Sequence, residues 1–200
     1  MKLINFSPNI ETCQQIVLGS QSPRRRLLLS RTGLNFTVQP SAYHEPPPAA
    51  DDEPADYVLR NARLKALDVH QQNPDALVIG ADTIVVLDRH ILGKPDNQDG
   101  AVDMLRRLSG RTHEVMTGVA VVGKADIPQM HVEISAVTFR PLTDADIADY
   151  AATGSPMDKA GAYGIQDGAR QFVRYVRGCI FNVIGLPLAA VWNLLNECGD

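Results

Sequence analysis

Several features that define common protein classes are scarce in this 200-residue sequence. Its three cysteines form no CxxC pair, which argues against a disulfide framework or a zinc knuckle and favours a reducing setting. No apolar run approaches the ~20 residues of a membrane span, and the first residues lack the basic start and apolar core of a signal peptide. We therefore expect a soluble, cytoplasmic protein without a membrane partner.

The motifs of several enzyme classes are also missing. There is no P-loop and no GxGxxG turn, so P-loop and dinucleotide-binding folds lack support. The five histidines include no two-His helical pair, and Ser20 and Ser22 lie in no nucleophile elbow, which disfavours zinc and serine hydrolases. The formal net charge of −4 disfavours a broad nucleic-acid-binding face. A local group of cations for a small phosphorylated ligand fits better.

The order of strand and helix signals predicts an α/β fold. A polar extension is predicted over residues 1–15, followed by one domain over residues 16–200. Strands are predicted near residues 15–19, 36–39, 77–87, 113–122, 129–139, 172–176 and 180–184, and helices near 22–33, 55–72, 99–108, 147–152 and 187–196. Residues 40–54 form a loop rich in proline and acid, and irregular segments of this length are usually functional or mobile.

Arginines crowd the start of the first predicted helix, where Ser22 is expected as N-cap and Pro23 as the first helical residue. Cations are unfavourable at this end of a helix, whose unpaired N–H groups already carry partial positive charge. Arg24 and Arg25 become favourable there if they bind an anion together with the backbone. The alternative is that both side chains turn sideways to solvent or to acids.

Asp82 interrupts the apolar strand at 77–87, where an ionised carboxylate is costly unless it is paired or binds a metal. Gly80 and Ala81 are small, which leaves room for a ligand beside the backbone. A structural aspartate at a strand kink is an equally good interpretation of this local pattern.

Two lysines stand in unusual surroundings. Lys65 continues the apolar helical stripe of Val58, Ala62 and Val69, and this pattern alone favours a snorkelling side chain over an ammonium aimed into a site. Lys94 lies between Gly93 and Pro95 in a turn, where a lysine is usually solvated. Its closeness in sequence to Asp82 makes it a candidate for function.

Taken together, these cations and the carboxylates Asp82 and Glu45 suit phosphoryl chemistry with a divalent cation. Lysines and arginines neutralise a leaving pyrophosphate, while carboxylates hold Mg²⁺ or Mn²⁺ and one of them activates water.

The same residues carry a resemblance to the Maf family of nucleoside triphosphate pyrophosphatases, also called septum-formation inhibitors. The similarity runs from about Val17 to Asn193. Its motifs are Ser20-Gln-Ser-Pro-Arg-Arg25, Ala62-Arg-Leu-Lys-Ala66, Gly80-Ala-Asp-Thr83, Leu92-Gly-Lys-Pro95, Leu108-Ser-Gly110 with His113, Thr117-Gly118, Asp158-Lys-Ala-Gly-Ala-Tyr-Gly-Ile-Gln166 and Gly185-Leu-Pro187.

The resemblance implies an elongated mixed β-sheet flanked by helices, with two lobes and a central cleft, related to the inosine-triphosphate pyrophosphatases. It implies metal-dependent hydrolysis to nucleoside monophosphate and pyrophosphate. Asp82 matches the catalytic acidic residue, the proton acceptor, and the other active-site positions match Ser20, Arg25, Glu45, Lys65 and Lys94. Asp51, Asp52 and Glu53 are alternatives to Glu45, and the division of metal binding and proton abstraction between Asp82 and Glu45 stays open.

Substrate choice is implied at three further positions. Arg24, Thr83 and Gln166 resemble family members acting on dTTP and UTP, whereas those acting on 7-methyl-GTP tend to have tryptophan at the position of Arg24. The amide of Gln166 offers a donor and an acceptor to a pyrimidine edge, or it only braces its loop.

Two alternative functions stay open at this point, a 7-methyl-GTP pyrophosphatase and a non-catalytic nucleotide sensor. Homodimer formation and a role in division arrest or nucleotide-pool cleaning also stay open. Single-stranded nucleic-acid binding is disfavoured by the acidity.

Overall fold

The computed structural model describes residues 15–49 and 51–199, and seven strands of that part form one mixed sheet. The strands are β1 (Ile16–Leu18), β2 (Phe36–Val38), β3 (Leu77–Leu87), β4 (His90–Leu92), β5 (Thr112–Val122), β6 (Gln129–Phe139) and β7 (Val173–Arg177). Their order is β2-β1-β3-β5-β6-β7, with β4 paired to β3. Strand β1 is parallel to β2 and β3, while β4 is antiparallel to β3 and β7 is antiparallel to β6.

The flanking helices are α1 (Pro23–Ser30), α2 (Pro54–His70), α3 (Gln98–Leu108), α4 (Asp144–Ala152), α5 (Ile180–Ile184) and α6 (Leu188–Gly199). The predicted α/β fold class is therefore confirmed. Among the described residues, no helix combines the length and apolar character that crossing a membrane requires. The predicted extension over residues 1–15 lies outside the described residues except for Gln15.

The chain divides into two compact units. The first contains the residues up to Asp82, residues 117–133 and those from Gly185 onward, and the second contains residues 83–116 and 134–184. In the first unit, one buried apolar cluster joins Val17 and Val78 of the sheet to Val69 of α2. A second joins Ala62 and Ala66 of the same helix to residues of β5. Helix α2 is therefore a main core element of the first unit.

Two glycines let α2 lie directly on the sheet of the first unit. A Cβ on Gly80 would lie 2.6 Å from the Ala66 nitrogen and closer still to the Ala62 oxygen. A Cβ on Gly118 would lie 2.6 Å from the Val58 oxygen. The expectation that Gly80 leaves room for a ligand is wrong, because the helix backbone takes that space.

The second unit has an aromatic core around Phe139, whose ring packs edge-on against those of His113, Tyr163 and Phe172. Helix α4 begins with a capping box, in which the Thr143 side chain accepts from the Asp146 nitrogen and the Asp146 carboxylate accepts from the Thr143 nitrogen. The Arg140 guanidinium binds both oxygens of Asp146 at 2.8 and 2.9 Å. These bonds hold the Asp146 pKa well below its usual range.

Two predicted elements differ from the structure. Residues 180–184 form helix α5 rather than a strand, because Gly178 turns the chain with φ 120° and the buried Asn182 side chain donates to the Val115 oxygen and to Ser135 Oγ. A five-residue apolar run does not by itself distinguish the two structures. The last helix extends to Gly199 rather than ending near residue 196.

Candidate active site

Asp82 is a buried carboxylate in the middle of β3, and both of its oxygens accept a hydrogen bond. Lys65 Nζ lies 2.9 Å from Oδ1, and Asn61 Nδ2 lies 3.2 Å from Oδ2. Asn61 and Lys65 are one turn apart on α2, so they lie on one face of that helix. The carboxylate is therefore paired, as a buried charge must be.

The Lys65 ammonium bridges two carboxylates. Besides Asp82, it contacts Glu45 Oε1 at 2.5 Å, and the Lys65 side chain is only 11% exposed. The snorkelling interpretation is therefore wrong. Its ammonium stays at the sheet because Gly80 brings the α2 backbone so close to β3. Because Glu45 Oε1 and Asp82 Oδ1 contact the same Lys65 nitrogen, the two carboxylates lie next to each other.

The loop that carries Glu45 is fixed to α2 at several points. Asp68 Oδ2 accepts from Ser41 Oγ at 2.7 Å and from the Ala42 nitrogen at 2.8 Å. Further along the loop, Tyr57 Oη donates to the Pro46 oxygen at 2.9 Å. These bonds hold the backbone on both sides of Glu45, so an acid on an irregular segment is placed within reach of Lys65.

A second acid of this loop, Asp52, is engaged elsewhere. Both of its oxygens accept from the Arg60 guanidinium at 3.1 Å, and Oδ2 also accepts from the Ala49 nitrogen. The hydrogen bond from Arg60 lowers the pKa of Asp52, with the Ala49 bond adding to the effect. This geometry favours Glu45 over Asp52 as the acid of the site.

Arg25 connects the first turn of α1 to the same site. Its Nε donates to the Gly185 oxygen at 2.9 Å, and Nη1 donates to the Ala81 oxygen at 2.9 Å and to Ser20 Oγ at 3.3 Å. Burial lowers the pKa of the Arg25 guanidinium, while the charges of Asp82 and Glu45 act in the opposite direction. Arg25 thus braces the residue before Asp82 and lies within the field of both carboxylates.

The start of α1 differs in detail from the prediction. Ser22 occupies the N-cap position, but its own side chain makes no capping hydrogen bond. Instead, Ser20 Oγ accepts from the Ser22 nitrogen at 3.2 Å as well as from Arg25. Ser20 is buried and Arg24 is partly exposed. The first unit therefore brings together five predicted site residues, namely Ser20, Arg25, Glu45, Lys65 and Asp82.

The remaining predicted residues, Thr83, Lys94 and Gln166, belong to the second unit. Lys94 and Gln166 are exposed, and Thr83 is partly buried. The Gly161 nitrogen donates to the Gly93 oxygen at 3.0 Å, so the segments that carry Lys94 and Gln166 are joined within this unit.

A buried lysine organises the segment that precedes Gln166. Lys159 Nζ donates to the Ser155 oxygen at 2.6 Å and pairs with Asp158 at 2.5 Å and Asp167 at 3.2 Å. The Gly164 nitrogen donates to Tyr150 Oη at 3.0 Å. The segment is therefore held on both sides of its Gly-rich run.

Sequence reasoning missed Asn61 and Tyr43. Asn61 is completely buried, and its Oδ1 accepts from Tyr43 Oη at 3.3 Å. A signal for Asn61 was present, because it lies three residues after Val58 and four before Lys65 on the buried face of α2. Tyr43, in an irregular loop, offered no such signal.

The donor set of this site suits a cation that is shared with the substrate. Among residues 15–49 and 51–199, no group of three or more His, Cys, Asp or Glu side chains is arranged to hold a metal. Asp82 and Glu45 supply two carboxylates, and Mg²⁺ is commonly bound by one or two carboxylates together with water and substrate phosphates. The residues present would therefore fit such an ion.

Comparison with known proteins first defines the fold. The chain is similar in structure to the Ham1 protein of Staphylococcus aureus, with a TM-score of 0.51 and 10% identity over 92% of this chain and 99% of that one. At this identity the similarity concerns the fold alone. A sequence model described as Maf-like protein matches residues 15–198, and the chain belongs to the Maf family.

Curated relatives support this membership over nearly full length. A protein of Moorella thermoacetica is 50% identical over 188 residues, covering 90% of this chain and 93% of its own. Proteins of Koribacter versatilis and Bacillus cereus are 45% and 42% identical, covering 92% and 98% of this chain and 94% and 96% of theirs. All three relatives are named dTTP/UTP pyrophosphatase.

Proposed function

We propose that this chain is a nucleoside triphosphate pyrophosphatase that hydrolyses dTTP and UTP to the monophosphate and pyrophosphate. The observation that carries the proposal is the buried Lys65 ammonium held between Glu45 and Asp82. This cluster lies in a chain that is 50% identical over 188 residues to a protein of Moorella thermoacetica named for that activity. Two acids and one cation at a single point suit attack on a phosphoanhydride and neutralisation of the charge that develops.

Asp82 and Glu45 are the residues that would hold a divalent cation such as Mg²⁺ or Mn²⁺. Such an ion, when bound, supplies charge neutralisation at the phosphate oxygens and lowers the pKa of nearby water. Bringing it in requires Lys65 to release part of its contact with the carboxylates. An ammonium released in this way can turn to a phosphate oxygen, since its flexible stem and three donors allow a new partner.

Asp82 is the proposed general base. In the proposed step, a water molecule attacks the α-phosphorus while its proton passes to a carboxylate oxygen of Asp82. The bond between the α-phosphorus and the bridging oxygen breaks, and pyrophosphate leaves with that oxygen. Glu45, which is more exposed, is proposed to contribute to the cation site and to keep Lys65 oriented.

The remaining residues are proposed to hold the substrate. Arg24, Arg25, Lys94 and Ser20 are assigned to the triphosphate, because cations and N–H groups at a helix start suit phosphate oxygens. Arg25 would act there while keeping its bonds to the Ala81 and Gly185 oxygens, since a guanidinium has five donors. Thr83 and Gln166, with Arg24, are proposed to select the pyrimidine base.

The proposal is tested by comparing the wild type with Asp82→Asn on dTTP, UTP, dCTP, dATP and 7-methyl-GTP, with Mg²⁺ or Mn²⁺. We expect dTTP and UTP to be preferred, and Asp82→Asn to lose about 10²–10⁴-fold in kcat because the base is removed without a change of shape. Asp126→Asn is the matched control, since Asp126 is exposed and asparagine tolerates its φ of 58°. Undiminished turnover by Asp82→Asn would contradict the assignment, and a preference for 7-methyl-GTP would overturn the substrate.

A further inference from the structure

Two parallel polar chains connect the Glu45 loop to Asp82. In one, Glu45 binds Lys65 and Lys65 binds Asp82 Oδ1. In the other, Tyr43 Oη donates to Asn61 Oδ1, and Asn61 Nδ2 donates to Asp82 Oδ2. The first chain depends on charge, whereas the second is made of neutral groups.

The neutral chain behaves differently when a cation arrives. A divalent ion and an ammonium compete for the same carboxylate oxygens and repel each other at short range. The amide of Asn61 has no net charge, and it contacts Oδ2 rather than the oxygen that Lys65 binds. Its hydrogen bond is therefore compatible with a cation on Oδ1, whereas the contact of Lys65 with that oxygen is not.

The side chain of Asn61 has little freedom to do anything else. It is completely buried on α2, and because a carboxylate only accepts hydrogen bonds, the NH2 end of the amide faces Asp82 and Oδ1 is left for the Tyr43 hydroxyl. Tyr57, one turn earlier on the helix, donates to the Pro46 oxygen, and burial raises the Tyr57 pKa, so its hydroxyl stays protonated.

We propose that Asn61, itself oriented by Tyr43, is a positioning residue that fixes the carboxylate plane of Asp82 while Lys65 exchanges its partner. This inference rests on the proposed function and deepens it, since it assigns the orientation of the base to a residue other than the one that neutralises its charge. Asn61 touches neither the reacting water nor the phosphate in this scheme. Its effect passes entirely through Asp82.

The test uses Asn61→Leu, which keeps the branched shape of the side chain, with a larger volume, and removes both hydrogen bonds. We expect kcat for dTTP to fall by about 10–100-fold, the usual effect of losing a partner of a metal-binding group, with KM changed much less. Binding of Mn²⁺ to the protein without nucleotide, measured by electron paramagnetic resonance, should weaken by a similar factor. Asn182→Leu is the matched control, because it removes a buried asparagine with two hydrogen bonds in the second unit. It should lower stability and leave kcat and Mn²⁺ binding unchanged.

Tyr43→Phe removes a single hydroxyl from the neutral hydrogen-bond chain. This variant tests the proposal even if Asn61→Leu does not fold. A smaller loss in the same two readouts is expected, and combining it with Asn61→Leu should add little, since residues of one network are not additive. Wild-type kcat and Mn²⁺ binding in Tyr43→Phe and in any folded Asn61→Leu would overturn the proposal. If Tyr43→Phe and Asn61→Leu are fully active while Asp82→Asn is inactive, the proposed pyrophosphatase function is retained and only the role of Asn61 is refuted.

Discussion

Lys65 Nζ lies 2.9 Å from Asp82 Oδ1, and this contact joins helix α2 to strand β3 inside the first unit. Two residues before Asp82, Gly80 lets the helix backbone touch the strand. Alternate residues of a strand share a face, so the same face carries the glycine that admits the helix and the acid that receives its lysine. The packing of the fold and the geometry of the site therefore depend on the same contact.

Replacing Lys65 by methionine should separate its charge from its packing. We expect dTTP turnover to fall by at least about 100-fold, since the lysine neutralises developing charge at the phosphates. Removing one partner of a buried ion pair typically costs about 3–5 kcal/mol, and the value here should lie at the low end because Glu45 is partly exposed.

The matched control for Lys65→Met is the double variant Lys65→Met/Asp82→Asn, in which the uncompensated buried charge is gone. It should regain part of the lost stability in urea unfolding without regaining activity. Mn²⁺ should also stabilise Lys65→Met more than it stabilises the wild type, because the ammonium no longer competes for the carboxylates. Equal shifts of Tm on addition of Mn²⁺ to Lys65→Met and to the wild type would contradict competition between Lys65 and the metal for the same carboxylates.

Gly80→Ala should disrupt both the packing and the site. Its Cβ would lie 2.6 Å from the Ala66 nitrogen, and backbone atoms of a helix cannot move aside as a flexible side chain can. We expect a loss of about 3 kcal/mol in the free energy of unfolding, at the upper end of overpacking, together with a loss of activity. Gly93→Ala is the comparison for stability, because nothing lies within 4 Å of its added Cβ. A Gly80→Ala protein as stable as Gly93→Ala would show that α2 does not rest on the strand.

The buried His113 should make stability depend on pH. Burial lowers its pKa from 6.5 to about 4. Between these values the unfolded chain binds the proton more readily, so stability is complete above the unfolded pKa and is lost as pH falls toward the folded pKa. Between roughly pH 7 and pH 5 we expect a loss of about 2 kcal/mol from this group.

His113→Phe is the variant that checks this origin. It fits among the aromatic rings but leaves Tyr163 Oη, now 2.7 Å from His113 Nε2, without this partner. The variant should therefore be less stable at neutral pH, yet lose less stability than the wild type between the two pH values. Parallel urea titrations that give the same pH slope for both proteins would assign the effect to other groups.

Lys159 should influence substrate choice through the segment that carries Gln166. Lys159→Met removes its bonds to Ser155, Asp158 and Asp167, which should loosen this segment and reduce the preference for dTTP over dCTP by about tenfold.

Gln166→Ala should show a similar loss of preference for dTTP over dCTP without a change in stability, because Gln166 is exposed. Lys124→Met, at an exposed turn of the first unit, is the control. If selectivity survives in Gln166→Ala, the residue only braces its loop.

Much of the fold was predictable because its elements follow strong local patterns. The apolar run at 77–87 is strand β3, and the helix predicted near 147–152 lies within α4. The prediction of a strand at residues 180–184 was wrong because five apolar residues have the same local pattern in a short helix and in a strand. The contacts of Asn182 decide between the two structures.

The site was predictable in its residue types more than in its contacts. Asp82 stood out because a carboxylate in an apolar strand needs a partner, but that partner could not be read from the strand itself. Lys65 suggested snorkelling, and only the close approach of α2 at Gly80 explains why its ammonium lies inward. The neutral link through Asn61 and Tyr43 depends on a loop whose path no local pattern predicts.

The most direct measurement is the fate of oxygen when purified protein hydrolyses dTTP in water enriched in oxygen-18. If water attacks the α-phosphorus beside Asp82, the products are dTMP and pyrophosphate, and mass spectrometry finds the heavy oxygen in dTMP. Label in pyrophosphate with dTMP as the other product would mean attack at the β-phosphorus. Release of dTDP and inorganic phosphate, or no turnover with either Mg²⁺ or Mn²⁺, would contradict the pyrophosphatase assignment itself.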